Sequence, residues 1–304
     1  MSSKKENVLI TIVGPTAIGK TAVSIQLATH FNADIISCDS RQFYKEMSIG
    51  TAVPSTEELN AATHHFIQNR SIFDEYNVGD FERDALHKLN ELFKTNTIVI
   101  MVGGSGLYVD AVLNGLDYFP KVNPEIRENL NQALLSKGIA HLQQQLKALD
   151  LETYNSITLD NPQRVIRALE VCIGAGLPYS SFKNKPKEKR NFRSIKIGLK
   201  ADREIIYNRI NQRVDTMMHE GLLEEAKALY PHKALNALQT VGYRELFSYF
   251  DENISKEFAI EEIKKNTRRF AKRQLTWFRK DASIHWFDYN STAQAILKTL
   301  NKSL

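Results

Sequence analysis

Apolar and polar positions in the first third of the chain follow the pattern of strands that alternate with helices. A continuous apolar, β-branched run at residues 8–13 is typical of a strand buried on both faces; a short strand is predicted at residues 33–37, a third at residues 98–102, and a strand resumes at residues 195–199. Residues 22–31 instead place apolar side chains at helical spacing. This order predicts an α/β fold with a parallel, doubly wound sheet, which binds its ligand at the carboxyl ends of the strands.

The middle of the chain lacks this strand pattern. Asn123-Pro124 and Asn161-Pro162 are typical helix starts, with asparagine as N-cap and proline at the first helical position. Helices are predicted after both, and no strand is predicted between about residues 123 and 180. One long helix is predicted over residues 203–229. We therefore predict a core in residues 1–122, a helical insertion in residues 123–191, and core completion with C-terminal helices in residues 192–304.

The composition is that of an ordinary globular chain, with 304 residues, 42% of them hydrophobic and 25% charged. Two cysteines, Cys38 and Cys172, are too few for a disulfide framework and favour a reducing compartment. The N-terminal apolar run is too short for a signal peptide, and no run approaches the roughly 20 residues that span a bilayer. We expect a cytoplasmic protein without a membrane segment.

Positive charge is concentrated in two tracts. Residues 183–196 carry seven basic residues and one acidic residue, and residues 264–280 carry eight basic residues and no acidic one. Such clustering predicts a surface that binds a polyanion, although two solvated faces would give the same pattern.

A glycine loop between the first strand and the first helix matches G-x-x-x-x-G-K-[ST]. In this pattern the glycines let backbone N–H groups converge on phosphate oxygens, the lysine contacts the outer phosphate and the hydroxyl residue contacts magnesium. The loop predicts binding of a di- or triphosphate. Its residues are Gly14, Pro15, Thr16, Ala17, Ile18, Gly19, Lys20 and Thr21.

The acidic residue that a P-loop NTPase needs at the end of a buried strand is missing after residues 98–102, where the chain continues Gly103-Gly104-Ser105. Asp39 is the acid that directly follows a predicted core strand. It is predicted to lie near the phosphate loop, as a general base or as an outer magnesium contact, unless it only caps the next segment.

Six segments, taken in order, resemble the tRNA dimethylallyltransferases, or adenine isopentenyltransferases, from about residue 8 to residue 286. They are GPTAIGKT, SCDSRQFYKEMSIGTAVP, VGGSGLYVDAVLNGL, NPQRVIRALEV, TVGYRE and KRQLTWFRK. No cysteine follows Cys172, whereas eukaryotic members carry a zinc finger after the core, so the resemblance is to the bacterial type.

The resemblance implies transfer of a prenyl group from dimethylallyl diphosphate to the exocyclic amine of an adenine beside the tRNA anticodon, with release of pyrophosphate. It implies that Asp39 accepts a hydrogen bond or a proton from the amine. Thr16, Lys20 and Thr21 would face the pyrophosphate with Mg²⁺, and Thr21 would contact the metal. Arg213 matches an arginine that clamps the departing pyrophosphate.

The resemblance also implies contacts with the tRNA anticodon stem-loop. The expected partners in this chain, which we expect to be a monomer, are Asp39, Ser40, Arg41, Gln42, Ser105 as a weaker contact, Gln163, Arg164, Val165, Ile166, Arg167, Thr240, Val241, Gly242, Tyr243, Arg244 and Glu245. The target adenine would have to leave its stack to reach a buried pyrophosphate.

Other residues are predicted to be structural. His64-His65 is interpreted as a hydrogen-bonded pair, and Cys38 as a small buried residue. Ile263, Phe270 and Trp277 recur every seven residues, which predicts a core-facing stripe and not a platform for bases.

Three other functions remain open at this point. A P-loop kinase shares the phosphate loop, although it would not need two basic tracts. A prenyltransferase of free AMP resembles the tRNA enzymes closely, and a P-loop switch protein would bind a nucleotide and RNA without chemistry.

Overall fold

The computed structural model describes residues 6–304. Six strands form one sheet in that part of the chain: Val8–Val13 (β1), Ile35–Ser37 (β2), His64–His65 (β3), Ile98–Gly103 (β4), Arg193–Lys200 (β5) and Ile284–Asp288 (β6). Their order is β3-β2-β4-β1-β5-β6, and every pair of neighbours is parallel. The predicted α/β fold with a parallel sheet is confirmed.

Helices supply the connections between these strands. In chain order they are Lys20–Phe31 (α1), Thr56–Ala61 (α2), Val78–Leu92 (α3), Gly106–Asn114 (α4), Pro124–Leu149 (α5), Leu151–Ser156 (α6), Pro162–Ala175 (α7), Arg203–His219 (α8), Leu222–Leu229 (α9), Tyr243–Phe250 (α10), Lys256–Phe278 (α11) and Ala293–Ser303 (α12).

The central strand β1 is buried along its whole length because helices cover both faces of the sheet. Val8, Ile10 and Ile12 pack with residues of α1 and α12 on one face. Leu9 and Val13 pack with residues of α3 and α4 on the other. Each fully buried aliphatic side chain stabilises the fold by about 1.5–3 kcal/mol, which fixes the position of the loop that follows β1.

The chain forms two compact units. One consists of the residues up to Asn114 together with Arg190–Leu304, and it contains the whole sheet. The other, Gly115–Lys189, contains α5, α6 and α7, and its described residues form no strand, as predicted. Asn123 and Asn161 cap α5 and α7 with their side chains, each with proline in the first helical turn. The unit packs around its own core, which includes Leu142 and Leu169.

The prediction of one long helix over residues 203–229 was wrong. The helix ends at His219, and a new helix begins at Leu222. Gly221 has a φ of 105°, which favours glycine and lies outside the α-helical region, so the helical hydrogen-bond pattern is interrupted there. The apolar spacing continues across the break, so the periodicity alone did not reveal it. No helix of the described residues has the length and apolarity required to cross a membrane.

Candidate active site

The phosphate loop joins β1 to α1, as predicted. Gly14 (φ 148°) and Gly19 (φ 104°) have backbone conformations that favour glycine. A Cβ atom on Gly14 would lie 2.7 Å from the carbonyl oxygen of Leu199 on β5, so the loop passes too close to that strand for a side chain. The loop ends where α1 begins, at the positive end of the helix dipole, which favours a bound anion.

The Lys20 ammonium group lies inside this loop, where Nζ donates a hydrogen bond to the carbonyl oxygen of Pro15 at 2.8 Å. Burial lowers the pKa of Lys20 to about 8, while Asp39 acts to raise it and Arg213 to lower it further. A buried cation next to a second cation favours an anionic ligand, because the ligand's charge compensates for the lost hydration.

Two arginines one helical turn apart on α8 extend this positive charge. The Nε of Arg209 donates to the carbonyl oxygen of Ala17 at 2.7 Å, so this guanidinium is fixed to the phosphate loop. Arg213 lines the same cavity as the loop. Burial among protein atoms, and then repulsion from Arg209, lowers the pKa of Arg213, although solvent still reaches its side chain. Both positions agree with the predicted shared helical face.

Asp39 follows β2 by two residues and is half-buried. Its Oδ1 accepts a hydrogen bond from the backbone N–H of Arg41 at 3.1 Å, and its own N–H donates to the hydroxyl of Ser37 at 3.4 Å. Asp39 therefore stabilises the local turn, as the capping alternative requires. It also borders the cavity of the phosphate loop, so the structural and chemical roles do not exclude each other.

Two cavities meet at Asp39. The larger, of about 870 Å³, is lined by the phosphate loop, Arg209 and Arg213. The smaller, of about 480 Å³, extends away from the loop and has a more apolar wall. Thr16, Asp39, Arg213 and Gln274 line both cavities. The two cavities therefore form one cleft, with a cationic end at the phosphate loop and a second opening.

The smaller cavity brings together residues that the sequence places far apart. Ser40 donates its backbone N–H to the hydroxyl of Ser105 at 3.2 Å, and the two hydroxyls are also 3.2 Å apart. Arg41 donates to the carbonyl oxygens of residues 236 and 237, before the segment 240–244. The predicted contacts that line this cavity are Asp39, Ser40, Arg41, Ser105, Thr240, Val241, Gly242 and Arg244.

Three predicted contacts take structural positions instead. Gln42 lines the larger cavity and donates its amide to the carbonyl oxygens of residues 51 and 52. Tyr243 is fully buried, and its hydroxyl donates to Glu225 at 2.7 Å. Glu245 is buried and accepts hydrogen bonds from the N–H of Gly242 and from an asparagine of α11. The side chains of Tyr243 and Glu245 are therefore buried structural contacts and are not available to contact tRNA directly.

The prediction of a core-facing stripe on α11 was wrong for two of its three residues. Ile263 is buried, but Phe270 is 37% exposed and Trp277 is 40% exposed, and both line the smaller cavity. Trp277 packs against Gly106, where a Cβ atom would lie 2.4 Å from the indole. Its Nε1 donates to Asp110 at 3.0 Å. Exposed aromatic rings that line a cleft present faces of the kind on which unpaired bases can stack.

Other structural predictions hold. His64 and His65 form the edge strand β3, where His65 pairs with Asp34 at 2.7 Å and His64 contacts the carbonyl oxygen of Ala62. Cys38 is fully buried, and burial raises the pKa of its thiol. Neither site has the features of a nucleophile or a metal centre.

The remaining predicted contacts lie on α7 of the second unit. Gln163 and Arg164 are exposed, and Arg167 is half-buried. Val165 and Ile166 are completely buried in the core of that unit, so their side chains cannot reach a ligand. Their assignment to the tRNA surface is corrected: they hold the helix in place.

Arg127 on α5 joins this surface, although no pattern in the sequence predicts it. Its guanidinium contacts the Glu170 carboxylate at 2.6 Å and the Gln163 side chain at 3.0 Å. Arg167 contacts the same Glu170 at 3.2 Å and lies 5.3 Å from the ring centroid of Phe119. Arg127 contacts residues of α7 that lie 36 and 43 positions further along the chain, so no local sequence pattern indicates that it belongs to this surface.

The described residues contain no group of three or more His, Cys, Asp or Glu side chains that could hold a metal ion. The larger cavity nevertheless offers the Thr21 hydroxyl and the Asp39 carboxylate. Mg²⁺ commonly binds through one or two protein oxygens with water and substrate phosphates. The residues therefore fit a magnesium ion that binds with a diphosphate, and not one held by protein alone.

The fold and the cleft together define a P-loop α/β protein whose cationic phosphate loop lies beside an opening lined by arginines and aromatic rings. The family model of the IPP transferases matches residues 42–281. A tRNA dimethylallyltransferase of Flavobacterium psychrophilum is 63% identical over 304 residues, which cover 98% of this chain and 99% of that protein. The chain belongs to the IPP transferase family and is a prenyltransferase, as the resemblance implied.

Two solved structures are similar over nearly the whole chain. The tRNA isopentenylpyrophosphate transferase of Bacillus halodurans is 36% identical, with a TM-score of 0.72 and coverage of 98% of this chain and 95% of that one. A eukaryotic dimethylallyltransferase described as acting on tRNA is 25% identical, with a TM-score of 0.79 and coverage of 98% and 77%.

Proposed function

We propose that this chain transfers the dimethylallyl group of dimethylallyl diphosphate to the exocyclic amine of the adenine next to the tRNA anticodon. The observation that carries the proposal is the single cleft, cationic at the phosphate loop and open at the other end, with Asp39 where its two cavities meet. The relatives' names, which specify tRNA and a dimethylallyl group, support the same substrates.

The diphosphate binds at the phosphate loop. Lys20, Thr21 and Arg213 contact the pyrophosphate, and burial, which lowers the pKa of Lys20, makes this cation respond strongly to its charge. Thr21 would help to hold a Mg²⁺ ion that binds with the diphosphate, and such an ion would neutralise part of that charge. Charge builds on the pyrophosphate as the allylic C–O bond breaks, so these cations stabilise the transition state most.

The adenine enters from the smaller cavity. Its amine nitrogen forms a bond to the allylic carbon, the C–O bond breaks, and the electron pair of that bond leaves with pyrophosphate. Asp39 accepts a hydrogen bond from the amine and then its proton, which keeps the nitrogen from remaining cationic. The base leaves its stack to reach this point, and Phe270 and Trp277 provide faces for neighbouring bases.

The unit Gly115–Lys189 provides a second contact with tRNA through Gln163, Arg164, Arg167 and Arg127. Arginines held in fixed positions suit phosphates and unstacked bases. We also propose that the protein acts in the cytoplasm, where its tRNA substrate is found. We propose that it is a monomer, because one chain supplies the whole cleft.

The test is incubation of the protein with labelled dimethylallyl diphosphate and one acceptor at a time: unmodified tRNA, free AMP, or a nucleoside with ATP in place of the donor. Label should appear in tRNA at the adenine beside the anticodon. Label in AMP would identify a prenyltransferase of free nucleotides, and phosphoryl transfer from ATP would identify a kinase. Either of these outcomes without labelled tRNA contradicts the proposal.

A further inference from the structure

A buried amide connects the two loops that form the cleft. Gln274 on α11 is 6% exposed. Its Oε1 accepts a hydrogen bond from the backbone N–H of Thr16 at 2.8 Å, and its Nε2 donates to the carbonyl oxygen of Gly104 at 2.9 Å. One partner can only donate and the other can only accept, so together they fix the orientation of the amide.

The two loops have different tasks in the proposed reaction. Thr16 belongs to the phosphate loop after β1, on the donor side. Gly104 belongs to the loop after β4, and the next residue, Ser105, bonds to Ser40 beside Asp39, on the acceptor side. Gln274 lines both cavities. It therefore links the donor side to the acceptor side at the point where the reacting atoms would meet.

The backbone at Gly104 is shaped around this amide. A Cβ atom there would lie 2.1 Å from the Nε2 of Gln274, while the closest atom of any other residue, the carbonyl oxygen of Gly14, would be 3.5 Å away. The space that a side chain would need at this position is thus occupied by Gln274. A side chain that only filled the core would not need to bring a donor within hydrogen-bond distance of the Gly104 carbonyl oxygen, whereas Gln274 does so, and glycine at position 104 leaves the space for it.

We propose that Gln274 is a positioning residue, which sets the separation between the phosphate loop and the acceptor loop and acts on the chemical step. This inference rests on the proposed function. In a displacement reaction the nucleophile must lie close to and in line with the carbon it attacks, and an error of about 1 Å can lower the rate about 100-fold. Binding of each substrate by itself depends less on the separation of the loops.

The first test compares Gln274→Leu and Gln274→Glu with the unaltered chain. Leucine removes both hydrogen bonds at similar size, and glutamate keeps an acceptor for Thr16 but turns an oxygen towards the carbonyl of Gly104. Both should lower the single-turnover rate of tRNA prenylation by about tenfold or more, with Kd values for donor and tRNA within about threefold. Unchanged rates, or losses confined to Kd, would overturn the inference.

The second test uses the contact with Gly104. Gly104→Ala should lower the single-turnover rate in the unaltered background, because its methyl group displaces the amide. In the Gln274→Ala background the same methyl group would meet only ordinary van der Waals contact, with the carbonyl oxygen of Gly14 at 3.5 Å, so Gly104→Ala should have little further effect. Such non-additivity supports the inference. Independent, additive losses would overturn it, because they would show that Gly104 does not act through Gln274.

The control for lost stability is Ile296→Val on α12, which shortens a fully buried side chain outside the cleft. It should lower the thermal midpoint and leave the single-turnover rate unchanged; an equal loss of rate in this variant would overturn the inference. An unaltered chain that fails to prenylate tRNA would overturn the proposed function and this inference together. An active chain whose Gln274→Leu variant keeps the full rate would overturn the inference alone.

Discussion

Asp39 has two roles at the scale of a single residue, and one substitution separates them. Its Oδ1 accepts the backbone N–H of Arg41, a turn contact that an asparagine oxygen makes equally well. Proton acceptance requires the carboxylate, which asparagine lacks. The geometry of the turn therefore supplies its own control, because Asp39→Asn preserves the turn contact and removes the charge and the basicity of the carboxylate.

We predict that Asp39→Asn lowers the rate of the chemical step by about 10²–10⁴-fold, the usual contribution of a positioned general base. Binding of donor and of tRNA should be nearly preserved. Single-turnover prenylation at saturating substrates measures this directly. Asp34→Asn is the matched control, since Asp34 pairs with His65 outside both cavities, and it should keep full activity.

Two results would contradict this assignment. Near-normal single-turnover prenylation by Asp39→Asn would show that Asp39 only stabilises the turn and is not a general base. Weakened donor binding that extra magnesium restores would instead make Asp39 mainly a metal ligand.

Arg213→Ala should lower kcat more than it raises the KM of the donor. The guanidinium is partly desolvated, which makes its interaction with newly formed charge stronger than in water, and that charge appears as the allylic bond breaks. Steady-state kinetics with saturating tRNA separate the two constants. Arg203→Ala removes an arginine of the same helix that lines neither cavity, and it should change neither constant. A pure KM effect of Arg213→Ala would indicate ground-state binding only.

At the scale of elements, the segment 48–52 forms a wall of the larger cavity but has no regular structure of its own. Glu225 on α9 holds it: the carboxylate accepts the backbone N–H groups of Ser48, Ile49 and Gly50 at 2.8–2.9 Å. Tyr243 donates to the same carboxylate, and its ring lies where a Cβ atom of Gly50 would stand. The wall is thus held by charge and by a steric fit.

Glu225→Gln should weaken donor binding and destabilise the fold. Glutamine has one oxygen and turns an N–H₂ group towards backbone donors, so at least one partly buried N–H loses its partner, at a cost of up to about 1–3 kcal/mol. Thermal unfolding and the donor's Kd measure the two effects. Glu224→Gln, an exposed neighbour, should change neither. A lowered thermal midpoint with an unchanged Kd would show that the wall does not need this contact to bind the donor.

Elements with strong local signals were predicted well. The continuous apolar run of β1, the glycine loop and the Asn-Pro starts of α5 and α7 depend on neighbouring residues, and the structure has all of them. The two-residue strand β3 is too short to produce a pattern, and the break at Gly221 lies inside uninterrupted apolar spacing.

The errors on α11 have a different cause. Apolar side chains at seven-residue spacing usually face a core, but here the cleft opens along that face, and Phe270 and Trp277 line it. Gln274 lies between them in sequence and carries no sign of its burial, because its partners are backbone groups of loops more than 150 residues away. Contacts between distant segments do not follow from local spacing.

At the scale of the whole molecule, the two basic tracts are less available than their composition indicates. In the first, Arg190, Arg193 and Lys196 form ion pairs with acids of the sheet-containing unit, at 2.5–2.8 Å. In the second, Lys264 pairs with Asp215 and Glu261. These four cations are engaged in ion pairs within the protein, so fewer charges are free to contact a polyanion than the count of basic residues predicts.

The residues that flank the unit Gly115–Lys189 lie close together in the sheet-containing unit, so the unit Gly115–Lys189 can be deleted and replaced by a short linker. Arg190 donates to the carbonyl oxygens of Ala111 and Val112 at 2.8 and 2.9 Å, so the residue after the unit is tied to the helix before it. Four glycine and serine residues span up to about 14 Å and should join Asn114 to Arg190 without strain. The core of the remaining unit contains no residue of the excised one.

The excised protein should therefore fold, bind dimethylallyl diphosphate with nearly the Kd of the full chain, and lose prenylation of tRNA, because the residues that hold the donor remain while Arg127, Gln163 and Arg167 are removed. Calorimetry with the donor and a prenylation assay measure the two effects. In the intact chain, the double variant Arg127→Ala and Arg167→Ala should reproduce part of the loss. It should also reduce the salt dependence of tRNA binding, because a protein that makes fewer phosphate contacts releases fewer counterions. The pair Lys137→Ala and Lys147→Ala, on exposed positions of α5, is the matched control. Full prenylation by the excised protein would show that the sheet-containing unit alone recognises tRNA.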